Sequence, residues 1–149
     1  MKMVKYLMIS LAATLMMASC SSDDDNDVVI GVNDLPTVAQ TFLQDYFSGV
    51  EVARVEKDTN ATDSYYEVKL NNGTEVDFNA DGAWTDVDCK TNAVPDGIVP
   101  ATIVSYVAEN YHDLLIVQIE KEAYGYDIDL SNDLELSFDP EGLPLNNAK

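Results

Sequence analysis

The chain is poor in the residue types that build metal centres, disulfide frameworks and nucleic-acid-binding surfaces. It has 2 cysteines, 1 histidine and 8 lysines and arginines among 149 residues. The single histidine, His112, cannot supply an ordinary zinc site. If Cys20 is modified as argued below, Cys89 has no partner for an intramolecular disulfide, so an apolar core must hold the fold. No serine lies in a nucleophile-elbow motif, and no set of catalytic partners is evident.

Long hydrophobic runs are also absent. Two lysines precede an apolar run over Leu7–Ala18, which is too short to span a bilayer and predicts an export signal. The run ends in Met17-Ala18-Ser19-Cys20, which resembles the lipobox of bacterial lipoproteins. We therefore predict a signal peptide over residues 1–19 and acylation of Cys20, with an ordinary secretory signal as the alternative. The protein is expected to be exported and lipid-anchored to the outer membrane, on its periplasmic or cell-surface side.

Positive charge is scarce. Processing leaves six basic side chains against 27 acidic ones. This balance argues against nucleic acid and anionic lipid as partners. It favours solubility and basic or cationic partners, with an ordinary acidic surface of a secreted protein as the alternative. Residues 20–33 begin with an acidic polar stretch, and we predict an unfolded tether there.

What the chain does have is internal repetition. At an offset of 64, Pro36–Asp58 aligns with Pro100–Glu122, and at an offset of 60, Tyr66–Gly82 aligns with Tyr126–Gly142. The change of offset indicates a four-residue insertion in the first copy. The alignment predicts two repeats, over residues 34–89 and 99–149, joined by a linker over residues 90–98. Each is small for independent folding, so the two should share an interface.

Each copy combines a helical pattern with alternating strands. Apolar residues recur at helical spacing in Pro36–Phe47 and from Pro100 to Tyr111, and Gly49 and Asp113 fall where a left-handed residue would end each helix. Period-two alternation and turn residues then predict strands. These cover Val50–Lys57, Tyr66–Leu70, Val76–Phe78 and Ala83–Val87, then Leu114–Glu122, Tyr126–Leu130 and Leu134–Phe138. The predicted fold is α+β, with two tandem α-β-β-β(-β) repeats and an antiparallel sheet with helices packed on one face.

These elements resemble those of a known family. A helix opened by Leu35-Pro36, a hairpin over Tyr66–Phe78 and the turn Asp81-Gly82-Ala83-Trp84 are similar to the PepSY-like, β-lactamase-inhibitor-like proteins of Bacteroidetes. The resemblance implies a secreted tandem-repeat domain built like β-lactamase inhibitory protein, whose sheets offer a concave protein-binding surface. It transfers no binding residue, because no inhibitory loop is matched.

One local motif has the form of a calcium loop. The stretch Asp77-Phe78-Asn79-Ala80-Asp81-Gly82 places oxygens at positions 1, 3 and 5, with Asp88 at position 12. Its flanks alternate like strands rather than helices, so we predict a hairpin turn here and no cofactor. Ca²⁺ bound through Asp77, Asn79, Asp81 and Asp88 is the alternative.

Three aromatic residues suggest a recognition surface. Tyr65 has the parity of the wet sheet face, Trp84 follows a turn, and Tyr124 lies between two strands. Exposed aromatics among acidic residues suit protein recognition, and packing between the repeats is the alternative. Glu56-Lys57 and Glu120-Lys121 recur at matched strand ends and predict cross-strand or inter-repeat ion pairs.

The sequence favours a non-enzymatic binding module that recognises a protein or peptide of the cell envelope. The runner-up is a calcium-stabilised structural domain using the Asp77–Asp88 loop. A third class is a hydrolase using paired carboxylates, since acidic residues are plentiful.

Overall fold

The computed structural model describes residues 27–60 and 65–145, which form one eight-stranded antiparallel sheet with two α-helices. The helices are α1 (Thr37–Phe47) and α2 (Ala101–Asn110), and a short 3-10 helix covers Val32–Asp34. The strands are β1 (Asp27–Val29), β2 (Val52–Asp58), β3 (Tyr66–Leu70), β4 (Glu75–Phe78), β5 (Trp84–Asp88), β6 (Ile116–Glu122), β7 (Gly125–Leu130) and β8 (Glu135–Phe138). They pair in sequence order from β1 to β8, which confirms the α+β class and the antiparallel sheet.

Each helix connects two neighbouring antiparallel strands. The helix α1 lies between β1 and β2, and α2 lies between β5 and β6. The strand β1 falls inside the segment predicted to be a tether over residues 20–33, so the folded part already includes Asp27 and does not begin at Asp34. The acidic composition of Ser21–Asp27 hides this strand, because only a short apolar run, Val28–Ile30, follows it.

Both helices end differently from the prediction. Gly49 does not adopt a positive φ, because Ser48 stays right-handed and the amide of Val50 donates to the Phe47 carbonyl at 2.9 Å. Asp113 is not left-handed either, so both predicted caps are wrong. Left-handed geometry is found instead in the hairpin turns, at Gly73 (φ 89°) and Asp133 (φ 64°).

The apolar residues of the strands form one continuous row across the sheet. Paired neighbours run from β2 to β7 through Val55, Val68, Val76, Val87, Ile119 and Ile128. These residues belong to a single core cluster that also contains Leu43 from α1 and Ile103 from α2. The helices and this row therefore share one core, and the strand pair β5–β6 makes the sheet continuous between a first half (α1 to β5) and a second half (α2 to β8).

The predicted signal peptide, Cys20 and residues 21–26 lie outside the described residues, as does part of the predicted four-residue insertion. Within residues 27–60 and 65–145, neither helix has the length and apolar character that a membrane span requires.

Candidate functional site: the open face of the sheet

The sheet face opposite the core, called the open face here, carries a row of acidic side chains. Cross-strand pairing from β2 to β7 aligns Glu56, Glu67, Asp77, Asp86, Glu120 and Asp127. None of these residues is buried. At the usual strand spacing of about 4.8 Å, the row is roughly 24 Å long. Like charges directly opposite each other destabilise a sheet, so this row is an electrostatic cost of the fold.

Basic side chains offset that cost mainly in the first half. Arg54 contacts Glu56 at 2.6 Å, and Lys69 contacts Glu67 at 2.9 Å. Lys90 contacts Glu75 at 2.8 Å and also binds Asp88. Among the described residues, the carboxylates of β6 to β8 form no salt bridge with a lysine or arginine. The open face therefore becomes more negative towards the second half.

The pKa values of the carboxyl groups reflect this crowding. Partial burial, followed by the charges of Asp77 and Asp88, raises the pKa of Asp86 from 3.8 to about 6, although hydrogen bonds from Gln118 oppose the shift. The Gln118 amide donates to both Asp86 carboxylate oxygens, at 3.0 and 3.1 Å. Burial and neighbouring acids also raise the pKa of Glu120 and of Asp129. These groups hold their negative charge less easily than ordinary carboxylates do.

Two of the three predicted aromatic residues reach this face, near the same end of the sheet. Tyr65 is half-buried and packs against the core cluster, and it also lines a small cavity of about 130 Å³ beside Glu67 and Asp77. Tyr124 is 46 % exposed and donates its hydroxyl to the Asp127 carboxylate, which raises the pKa of the phenol to about 12. Tyr65 precedes β3 and Tyr124 precedes β7, and these two strands are four spacings, or about 19 Å, apart.

Trp84, the third aromatic residue, lies on the core side. Its ring is 6.3 Å from Phe42 of α1, and the Lys121 ammonium is 3.6 Å from its centroid. Trp84 therefore packs between the two halves, between Phe42 of the first and Lys121 of the second, and does not form part of an exposed recognition surface. The structure does not bring the three aromatic residues onto one surface.

The Asp77–Asp88 segment is a hairpin connection. Asn79 Oδ1 accepts backbone hydrogen bonds from Asp81 and Ala83, both at 3.0 Å. Asp139 in the second half caps its own turn in the same way, accepting from Glu141 at 3.1 Å and Leu143 at 2.8 Å.

The flanks of the segment also differ from those of a helix–loop–helix site, because β4 and β5 enclose it. In the part of the chain that the structure describes, no three His, Cys, Asp or Glu side chains are grouped as a metal site requires. Asn79 Oδ1 therefore holds the hairpin turn by accepting backbone hydrogen bonds, and this role requires no bound ion.

The predicted ion pairs of Lys57 and Lys121 are wrong for the described residues. Lys57 lies over the Tyr65 ring at 5.1 Å from its centroid, and Lys121 covers Trp84 and donates to its carbonyl at 3.1 Å. Glu56 pairs within its own strand with Arg54. Both lysines therefore cover aromatic rings at the end of the sheet.

An apolar groove of about 540 Å³ lies elsewhere, between the linker, α2 and the start of β6. Its lining includes Val94, Val99, Val104 and Leu115. Val104 and Leu115 are 47 % and 49 % exposed, so the groove opens to solvent.

Comparison with known proteins shows which family this chain belongs to. The profile of the family described as "Putative beta-lactamase-inhibitor-like, PepSY-like" matches residues 64–145. The chain belongs to this PepSY-like family. No curated protein matches the chain.

Solved structures of periplasmic proteins from Bacteroides are similar to this chain. One is a putative calcium-regulated periplasmic protein from Bacteroides thetaiotaomicron, with 38 % identity and a TM-score of 0.77, covering 80 % of this chain and 94 % of that one. Another is a putative periplasmic protein from Bacteroides vulgatus, with 39 % identity and a TM-score of 0.77, covering 82 % and 96 %. A third, also from Bacteroides vulgatus and of unknown function, has 40 % identity and a TM-score of 0.74, covering 80 % and 97 %.

The acidic row is the feature that sequence reasoning missed. Each strand shows its own wet-face acid, but the row depends on strand register and on the pairing of β5 with β6. The sequence signal that could have indicated the row is the alternation of Glu67, Asp77 and Asp86 with core residues along their strands.

Proposed function

We propose that this protein is a non-enzymatic binding module of the cell envelope that recognises a basic protein or peptide through its open face. The observation that carries the proposal is the acidic row from Glu56 to Asp127, whose members are half-buried or exposed, with Tyr65 and Tyr124 beside it. Among the described residues, carboxylates of the second half that have no salt bridge to a lysine or arginine favour a partner that supplies positive charge. Aromatic residues beside the row suit anchoring contacts. Membership of an inhibitor-like family supports a role in protein binding.

The architecture that presents this face is proposed to be two tandem repeats with both helices on the core side. Support comes from matched contacts. Phe42 of α1 contacts Phe78 edge-on at 5.7 Å, and Tyr106 of α2 contacts Phe138 edge-on at 5.5 Å. Leaving the open face without a helix makes it available to a partner.

Location in the periplasm or at the outer surface is part of the proposal. The three Bacteroides relatives are described as periplasmic, and the lipobox-like sequence before Cys20 supports a lipid anchor. Mass spectrometry of the mature N-terminus tests the anchor: an acylated Cys20 is expected, and its absence would leave only a secretory signal.

The experiment for the main proposal is capture from an envelope extract on immobilised protein, followed by mass spectrometry. Tyr65→Ala and Tyr124→Ala should each reduce capture of the specific partner, and capture should fall with added salt because screening weakens charge pairing. Val38→Ala, an exposed position on α1, is the matched control and should capture normally. Equal capture by all variants at all salt concentrations would rule out the open face.

A calcium-stabilised structural domain is the second candidate. It is favoured by the description of one relative, 38 % identical, as calcium-regulated. Thermal unfolding in calcium and in chelator tests it, since an ion bound only by the folded state raises the midpoint. A calcium-dependent shift that disappears in Asp77→Ala and persists in Asp96→Ala would support the Asp77–Asp88 loop. No shift in the unmodified protein would eliminate this candidate.

A further inference from the structure

The two halves of the sheet pair their strands in the same way, so residues of the open face in the first half have counterparts in the second. Glu56 pairs with Glu67 across β2 and β3, and Glu120 pairs with Asp127 across β6 and β7. Both halves therefore carry one pair of acids that face each other on neighbouring strands.

The residues beside this acidic pair differ in charge between the halves. In the first half the neighbouring pair is Arg54 and Lys69, and each of these contacts one of the two acids, at 2.6 and 2.9 Å. In the second half the corresponding pair is Gln118 and Asp129, reached after a register shift at the same place in the strand. The first set of four residues thus holds two positive and two negative side chains, whereas the second holds three negative side chains and a neutral one.

The neutral residue of the second set does not compensate its acids. The Gln118 amide donates to both carboxylate oxygens of Asp86, at 3.0 and 3.1 Å, and is therefore directed towards β5. One oxygen of Asp127 accepts from the Tyr124 hydroxyl, but the other, Oδ1, is shielded from solvent and accepts no hydrogen bond from the described residues. A buried acceptor without a donor destabilises a fold, so a donor is missing at this point.

A small cavity lies at the second set of residues. It has a volume of about 110 Å³ and is lined by Gln118, Glu120, Asp127, Ile128, Asp129 and Glu135. This is smaller than the pockets of drug-sized ligands, and it suits the head of a single side chain. The described carboxylates are not grouped as closely as a metal ion requires, whereas a guanidinium can reach carboxylates that lie further apart, because its five donors are spread over a plane.

The basic side chains of the described residues are all engaged elsewhere. Arg54, Lys69 and Lys90 pair with acids of the first half, and Lys57 and Lys121 lie over aromatic rings. Residues 27–60 and 65–145 contain no other lysine or arginine. A cation that neutralises the second set must therefore come from outside this part of the chain.

We propose that this cavity binds the guanidinium of an arginine side chain supplied by the partner. The guanidinium takes the place that the cations Arg54 and Lys69 have in the first half, and it donates to the carboxylates of the second set. The proposal rests on the binding function proposed above, since the cavity is part of the open face, and it names the chemical group that is recognised there.

A small arginine derivative tests the site directly. The probe is N-acetyl-arginine methylamide, which has one cation and no charged terminus, and the matched control is N-acetyl-citrulline methylamide, which has the same shape and no charge. Each is titrated into the isotope-labelled protein while amide chemical shifts are followed by NMR. The arginine probe should shift amides of β6, β7 and β8 in a saturable way and should bind at least about tenfold more tightly than the citrulline control.

Variants that restore the residues of the first half locate the site. Gln118→Arg and Asp129→Lys each supply a cation from within, so each should weaken binding of the arginine probe about tenfold or more. Using both keeps the test intact if one of them does not fold. Asp96→Lys, at an exposed position of the linker, changes the net charge by the same amount as Asp129→Lys and should bind like the unmodified protein.

Equal affinity for the two probes, or undiminished binding to both Gln118→Arg and Asp129→Lys, would overturn the proposal. Lys149, which lies outside the described residues, is tested as an occupant with Lys149→Gln. If the arginine probe binds to this variant and not to the unmodified protein, the chain fills its own cavity and the proposal is again overturned.

Envelope capture with the same variants separates this proposal from the proposed function. If a partner is captured equally by the unmodified protein and by Asp129→Lys, and the arginine probe does not bind, the arginine site is wrong and recognition through the open face stands. If the arginine probe binds and is lost in Asp129→Lys but no partner is captured, the arginine site stands and the proposed function is wrong.

Discussion

At the scale of one residue, Asp86 shows how much the acidic open face reduces the stability of the fold. Its pKa of about 6 lies above the ordinary value of 3.8, so between these pH values the folded protein holds a proton that the unfolded chain releases. The contribution of Asp86 to stability is therefore most favourable at the acid end of this range. It decreases as the pH rises through about 6 and stays unfavourable above that. Asp86 therefore lowers the free energy of unfolding by its full amount at neutral pH.

Asp86→Asn should consequently increase the free energy of unfolding at pH 7. Solvent screening reduces the effect to about 1–2 kcal/mol, and the advantage over the unmodified protein should vanish near pH 4. The asparagine oxygen can still accept from Gln118. Urea denaturation across this pH range measures the difference, with Asp96→Asn in the linker as the control for net charge. A stabilisation independent of pH would contradict the assignment.

Gly73 and Gly142 both have a positive φ but differ in their surroundings, so substituting them separates the cost of backbone strain from the cost of steric crowding. Gly73 has a φ of 89°, and a Cβ there would meet no atom within 4 Å, whereas a Cβ on Gly142 would meet Thr102 at 2.0 Å. Gly73→Ala should cost about 1–2 kcal/mol from conformation alone. Gly142→Ala should cost more, about 2–4 kcal/mol, because overpacking adds to it.

Chemical denaturation of both alanine variants checks this order. Gly49→Ala is the control, since that residue has neither a positive φ nor a close neighbour, and it should be neutral within about 0.5 kcal/mol. Equal costs at Gly73 and Gly142 would mean that the turn before Pro144 is not packed against α2.

At the scale of the elements, the sequence predicts those helices and turns whose formation depends on neighbouring residues alone. The helix pattern from Pro36 to Phe47 and the Asn72-Gly73 turn appear where expected, because amphipathic spacing and turn chemistry are local properties. The caps at Gly49 and Asp113 fail because the chain can end a helix in several ways, and tertiary packing selects among them.

Parts of the open face could not be predicted for a different reason. Strand parity predicts the position of Tyr65. The row that links Asp86 to Glu120, however, requires the pairing of β5 with β6, which have α2 between them in the chain. The predicted ion pairs of Lys57 and Lys121 are wrong because both lysines lie over aromatic rings, and the sequence shows neighbouring charges more readily than stacked rings. Strand register and the pairing of strands distant in sequence are therefore the features that could not be predicted from the sequence.

Removing the aromatic contact of either helix should destabilise the fold. Phe42 contacts Phe78 and Trp84, and Tyr106 contacts Phe138, so Phe42→Ala and Tyr106→Ala should each cost about 2–5 kcal/mol. Val38→Ala on the exposed side of α1 should change stability by less than about 0.5 kcal/mol. Thermal and urea unfolding measure all three, and a loss of binding without a loss of stability would mean that the helix faces are misassigned.

At the scale of the whole molecule, the halves should depend on each other. The β5–β6 pair joins them, and each alone is small for a stable core. Fragments 21–95 and 96–149, prepared separately, should show no cooperative unfolding transition and poorly dispersed amide spectra. An intact chain treated identically is the control. Native-like spectra from either fragment alone would contradict the shared core.

The order of the strands places β1 and β8 at the two opposite margins of the sheet, seven spacings or about 34 Å apart. If Cys20 carries the proposed lipid, β1 is the strand closest to the anchor along the chain. The margin formed by β8 would then be the part of the sheet furthest from the anchored margin.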